Sequence, residues 1–186
     1  YNNARSHPGL ADEPTAEIYV DTTALGATVN EVTIASNTIQ ATNSPEGANI
    51  RIKESAGGND RPPGLWSITG NVIGSQEVNV HLTGCYGIAL SGNTIYSCEN
   101  RNLLIEDSRL INVSGNTFRD APTPAVQSGG NVDCVFEGNL VENVAFEQID
   151  MGAYYHGSSA GGYQFAWTQP GNVLRNNTWR TIRYQE

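Results

Sequence analysis

Leu90-Ser91-Gly92-Asn93-Thr94-Ile95 is followed 23 residues later by Val113-Ser114-Gly115-Asn116-Thr117-Phe118. The same phrase stands at Ile68-Thr69-Gly70-Asn71-Val72-Ile73 and at Phe136-Glu137-Gly138-Asn139-Leu140-Val141, with looser copies at 34–39 and 174–179. The central asparagines are Asn37, Asn71, Asn93, Asn116, Asn139 and Asn177, so the inner steps are 22, 23 and 23 residues and the outer ones 34 and 38. Each outer step is one repeat plus an insertion. A fixed period of this length marks a repeat architecture.

The phase within the repeat says what repeats. Three residues before the asparagine stand Ile34, Ile68, Leu90, Val113, Phe136 and Leu174; five before it stand Val32, Trp66, Ile88, Ile111 and Cys134. Two after it stand Ile39, Ile73, Ile95, Phe118, Val141 and Trp179. Alternation of this kind is a strand with one buried face. A second strand precedes each asparagine by about a dozen residues, carried by Ile50-Arg51-Ile52, Val80-His81-Leu82, Leu103-Leu104-Ile105, Ala125-Val126-Gln127 and Gln148-Ile149-Asp150. Short strands stacked at a constant step imply a parallel β-solenoid with coils ~4.8 Å apart. An inward asparagine is tolerable there if it bonds to its own turn and to the asparagine of the next coil.

The I-x-G-N-x-I phrase at this step resembles the right-handed parallel β-helix proteins of the pectate-lyase-like superfamily, over about residues 30–183, with the six asparagines at that family's ladder position. The expected fold is therefore all-β, a right-handed parallel β-helix of about seven coils in a single domain, 1–186. Residues 1–29 are expected as an irregular or capping lead-in, and 54–64 and 153–171 as inserted loops. An uncapped solenoid exposes a strand edge, so the remainder of a longer β-helix or a capping partner chain is expected against it. The fold carries lyases, hydrolases, epimerases and tailspikes alike, so function has to be argued from the site.

Composition narrows the classes. Nineteen acids against ten bases give a net charge of −9, and Lys53 is the one lysine. Such a surface repels phosphate backbones, which argues against nucleic acid as a partner. No apolar run reaches the ~20 residues of a membrane-spanning helix, so no membrane role is expected. The opening residues also lack the basic-then-apolar pattern of a signal peptide. Cys85, Cys98 and Cys134 show no metal-type spacing; Cys85 and Cys98 pair or stay free, and Cys134 falls in a core column. Low lysine and sequons at Asn112 and Asn176 fit a secreted, extracellular or periplasmic protein.

Chemistry is expected where outward residues of one phase line up. Stepping back by 23 from Asp150 gives Gln127, Leu104 and His81; two residues on lie Gly152, Gly129, Glu106 and Thr83. Arg51, Lys53 and Glu54 are expected on the same sheet one coil earlier. Tyr154, Tyr155, His156, Tyr163, Phe165 and Trp167 in the second loop supply aromatic faces suited to sugar rings. Glu106-Asp107 and Glu142 are isolated and read first as surface charges.

Asp150-Met151-Gly152-Ala153-Tyr154-Tyr155 resembles the D-x-G-A-x-Y stretch of some β-helix glycoside hydrolases. The resemblance implies that Asp150 is a catalytic carboxylate acting on a polysaccharide or oligosaccharide. Its partner carboxylate is sought in Glu106 or Glu147, with His81, Gln127, Tyr154, His156, Trp167, Arg51 and Lys53 as substrate contacts. Glu106 lies two coils from Asp150, about 10 Å or more by strand spacing, against the 5–9.5 Å that glycosidases use. No cofactor or metal is expected for a hydrolase. The rival reading is a polysaccharide lyase with calcium and an Arg51 or Lys53 base, and a non-catalytic glycan-binding or structural solenoid is the third.

Overall fold

A computed structural model describes residues 16–24, 27, 29–41, 43–54, 64–122, 126–129, 131–144 and 173–182. These residues are all-β: fifteen strands and no helix. One sheet has the path β1 (Ala16–Asp21), β4 (Ala48–Lys53), β6 (Val72–Thr83), β8 (Thr94–Glu106), β10 (Thr117–Pro122), β13 (Leu140–Val144) and β15 (Thr178–Ile182). To it are added β3 (Thr38–Gln40), on β6, and β11 (Val126–Gly129), on β8. The second sheet runs β2 (Thr33–Ala35), β5 (Trp66–Thr69), β7 (Ile88–Ser91), β9 (Asn112–Ser114), β12 (Val135–Glu137) and β14 (Val173–Arg175). Every pairing is parallel, and from β5 to β10 the chain alternates between the sheets.

The apolar columns read from the sequence form the core between the sheets. Ile68, Leu90, Val113 and Phe136 are fully buried, as are Ile73, Ile95, Phe118 and Val141. Phe118 and Phe136 stack with centroids 6.1 Å apart. The three cysteines are free thiols, Cys85 and Cys134 within the core, where burial pushes both above the ordinary thiol range.

The asparagines form a continuous ladder. From Asn37 to Asn139, each donates its backbone N–H and its side-chain amide to Oδ1 of the next, at 2.9–3.1 Å. The second amide hydrogen goes to a carbonyl of the preceding repeat: Asn71 to Ile34, Asn93 to Ile68, Asn116 to Leu90, Asn139 to Val113 and Asn177 to Phe136. The expected bond to the residue's own turn occurs at Asn37, Asn116 and Asn177. A second, shorter ladder joins Asn49 to Asn79 (2.7 Å) and Asn79 to Asn102 (2.8 Å), all three fully buried.

Corners recur in register where φ is positive. Leu65, Gly87, Leu110 and Asp133 make one column; Ser36, Gly70, Gly92, Gly115, Gly138 and Asn176 a second; Ser75, Ser97 and Asp120 a third. At Gly92 (φ +63°) an added Cβ would meet nothing within 4 Å, so only the backbone conformation selects glycine there. Gly92→Ala should therefore cost about 1 kcal/mol, read from the urea midpoint. An unchanged midpoint would mean the turn takes another conformation.

Several sequence expectations change. Part of the lead-in is a strand, β1, paired in register with β4. Val126, and not Ala125, stands opposite Leu103. The first insertion is divided between two corners. Gln40 to Ala48 takes eight residues where Gly74 to Val78 takes four, and Lys53 to Trp66 takes thirteen where Thr83 to Ile88 takes five. Glu142 is buried and accepts a hydrogen bond from Arg119 (3.3 Å), so it is no surface charge. The loop 153–171 lies outside the described residues.

Candidate functional site

Parallel register turns sequence phase into columns on the outer face of the long sheet. Tyr19, Arg51, His81, Leu104 and Gln127 stand opposite one another in one column, and Asp21, Lys53, Thr83, Glu106 and Gly129 in the next. His81, Gln127 and Glu106 are thus where the 23-residue stepping puts them, and Arg51 and Lys53 stand one coil before His81 and Thr83, as expected. Asp150, Glu147, Tyr154, His156 and Trp167 lie outside the described residues. Tyr19 and Asp21 are additions to the strip: their strand sits inside the expected lead-in, and nothing in the repeat phrase announces it.

The strip is polar and internally paired. His81 Nε2 lies 2.8 Å from Glu106 Oε2 and 3.1 Å from Thr83 Oγ1, while its Nδ1 is buried without a partner among the described residues. Burial pushes the His81 imidazole below its ordinary range; the Glu106 carboxylate works against this and the neighbouring Arg51 charge adds to it. The ring is then neutral at pH 7, and the Glu106 contact assigns its proton to Nε2. Half-buried His81 thus orients Glu106, whose side chain is 44% exposed.

At the β1 end, Tyr19 donates to Asp21 Oδ2 (3.0 Å) and Lys53 Nζ is 4.0 Å from the same oxygen. Hydrogen bonds from the Thr23 hydroxyl and amide hold the Asp21 carboxyl below its usual range. An ion pair this exposed adds little stability. Asp21 and Glu106 are three strand spacings apart, roughly 14 Å, too far to act together on one glycosidic bond.

Glu54 leaves the strip. It turns inward at the end of β4, is 4% exposed, and accepts a hydrogen bond from the Tyr86 amide at 3.1 Å. Burial raises its carboxyl to about 7. Its other oxygen has no partner among the described residues. Also among the described residues, no three His, Cys, Asp or Glu side chains converge as a metal site.

Comparison with protein-family models, curated proteins and solved structures finds no match to this chain.

Proposed function

We propose that the chain is a right-handed parallel β-helix of the pectate-lyase-like kind, acting on an extracellular polysaccharide as a glycoside hydrolase. The observation that carries the reading is the outward strip of the long sheet. There Tyr19, Arg51, His81, Thr83 and Glu106 line up at strand spacing on one solvent-facing surface, in a chain otherwise strongly acidic. A linear glycan laid along the strip meets a hydrogen-bonding group at every repeat. Asp150 follows Gln127 by one 23-residue step, in phase with the His81 column, and its resemblance to the D-x-G-A-x-Y stretch supports its part as the catalytic carboxylate.

In hydrolysis one carboxylic acid protonates the leaving glycosidic oxygen while a carboxylate attacks the anomeric carbon or activates water. Asp150 fills one of these roles. The second falls to Glu106, oriented by His81, or to Glu147. Arg51 and Lys53 favour a second reading: a lyase, in which a basic side chain removes the proton next to a uronate carboxylate and a calcium ion offsets the developing charge.

The test is reducing-end release from a panel of plant and algal polysaccharides, with the ultraviolet absorbance of unsaturated products followed in parallel, for the wild type and Asp150→Asn. New reducing ends without absorbance, lost in the variant, are the expected result. Absorbance would replace the hydrolase by the lyase. No product from a chain that still binds the glycan would leave a binding solenoid.

A further inference from the structure

We propose that the corner between the β3–β4 connection and the start of β8 is a second, independent binding groove for a neutral oligosaccharide. Two adjoining cavities lie there, of about 340 and 310 Å³, sharing Asn43 and Glu99 in their walls. Each is at the lower end of the ~300–1,000 Å³ range of small-ligand sites.

The groove is made by two departures from the repeat. The first is the lengthened connection after Gln40, which supplies Asn43 and Pro45. The second is a bulge in β8: Cys98 faces Gln76, but Arg101 faces Val78, so one extra residue is accommodated among Glu99 and Asn100. This bulge also converts the step from 22 to 23. A regular parallel stack leaves no recess at such a corner. Bulges re-aim side chains and gather next to functional sites.

Both walls are held before any ligand arrives. Gln76, 2% exposed, accepts the Ser44 amide at 2.9 Å and the Glu77 amide at 2.8 Å. Glu77 accepts the Glu46 amide. On the other wall, Arg101 is 4% exposed and donates to the Asn100 carbonyl and side-chain oxygen at 2.7 and 2.6 Å. The lining offers acceptors at Glu77, held by the Glu46 amide, and at exposed Glu99, amides at Asn43 and Asn100, and hydroxyls at Ser75 and Ser97. Donors and acceptors at this density, with no lysine or arginine side chain lining the cavities and Arg101 buried behind Asn100, match the vicinal hydroxyls of an uncharged sugar. A uronate would be repelled. None of the groove's lining residues belongs to the His81–Glu106 strip; the two meet only where Arg51 donates to the Glu46 carbonyl behind the groove wall.

The experiment is a nuclear magnetic resonance titration of the chain with neutral cello-, xylo-, manno- and chito-oligosaccharides, repeated with Asn43→Ala, Glu99→Gln and the strip variant Lys53→Ala, and with calcium chloride alone. Asn43 and Glu99 are exposed, so their replacement leaves the core intact. The expected result is that at least one oligosaccharide shifts Asn43, Ser97 and Asn100 resonances. Asn43→Ala and Glu99→Gln should each weaken that binding tenfold or more, and Lys53→Ala should leave it unchanged. Shifts confined to the strip, or none at millimolar sugar, would overturn the groove while leaving the hydrolase reading standing. Shifts at the groove with calcium and none with sugar would make it a cation site and overturn the proposal.

Discussion

Asn93→Ala is expected to cost about 4 kcal/mol, a large part of the ~5–15 kcal/mol that holds a typical domain together. Asn93 Oδ1 accepts both the Asn71 amide nitrogens, backbone and side chain, and its own amide reaches Ile68 and Asn116. Alanine leaves those groups buried with no water to replace the partner, and each orphaned group costs about 1–3 kcal/mol. The end rung gives the contrast. Asn37 is exposed and hands its hydrogen bonds to Asn71 alone beyond its own turn, so Asn37→Ala should cost about 1 kcal/mol or less. Urea unfolding of the two variants measures the difference. Equal losses would mean that the ladder is not a chain of interior hydrogen bonds.

Glu54 governs a second large effect, one of pH. Its carboxyl titrates at about 7 in the fold against an ordinary 4.5, so the native state takes up the proton more readily than the unfolded chain. The contribution of Glu54 to stability should be greatest below about pH 4.5, fall as pH rises towards 7, and stay at the lower level above it. A shift of this size corresponds to about 3 kcal/mol. Glu54→Gln keeps the shape and the acceptor for the Tyr86 amide while removing the charge. It should be neutral near pH 4 and stabilise the protein by about 2–3 kcal/mol near pH 8. Midpoints measured at both pH values decide it: a variant destabilised near pH 8 would show that the carboxylate is satisfied in the fold.

What the sequence made legible follows from how far each feature reaches. The inward columns and the six-rung ladder were readable because both recur at one phase of one period, and period is a property of the chain alone. The Asn49–Asn79–Asn102 ladder recurs too, each asparagine standing just before a triplet whose first and third residues face inward. Its steps are 30 and 23, and the insertion hid the first of them. The split of that insertion between two corners depends on register, which pattern cannot fix when both corners tolerate extra residues. Glu54 was grouped with outward Arg51 and Lys53, yet it stands in the inward phase of Ile50 and Ile52, and alternation carries its carboxyl inside. The 2.8 Å contact of His81 with Glu106 joins residues in different columns and neighbouring strands. Stepping by 23 reads columns and misses diagonals.

Glycan binding along the outer strip of the long sheet is tested by chemical-shift mapping with oligosaccharides drawn from whichever polysaccharide the chain cleaves or retains. Shifts are expected to concentrate at Tyr19, Arg51, His81, Thr83 and Glu106, with the His81 ring among the most affected. Little change is expected across the opposite sheet at Ser67, Thr69, Ser91 and Ser114. Shifts gathered on that opposite face, with the His81 ring unmoved, would contradict binding along the strip.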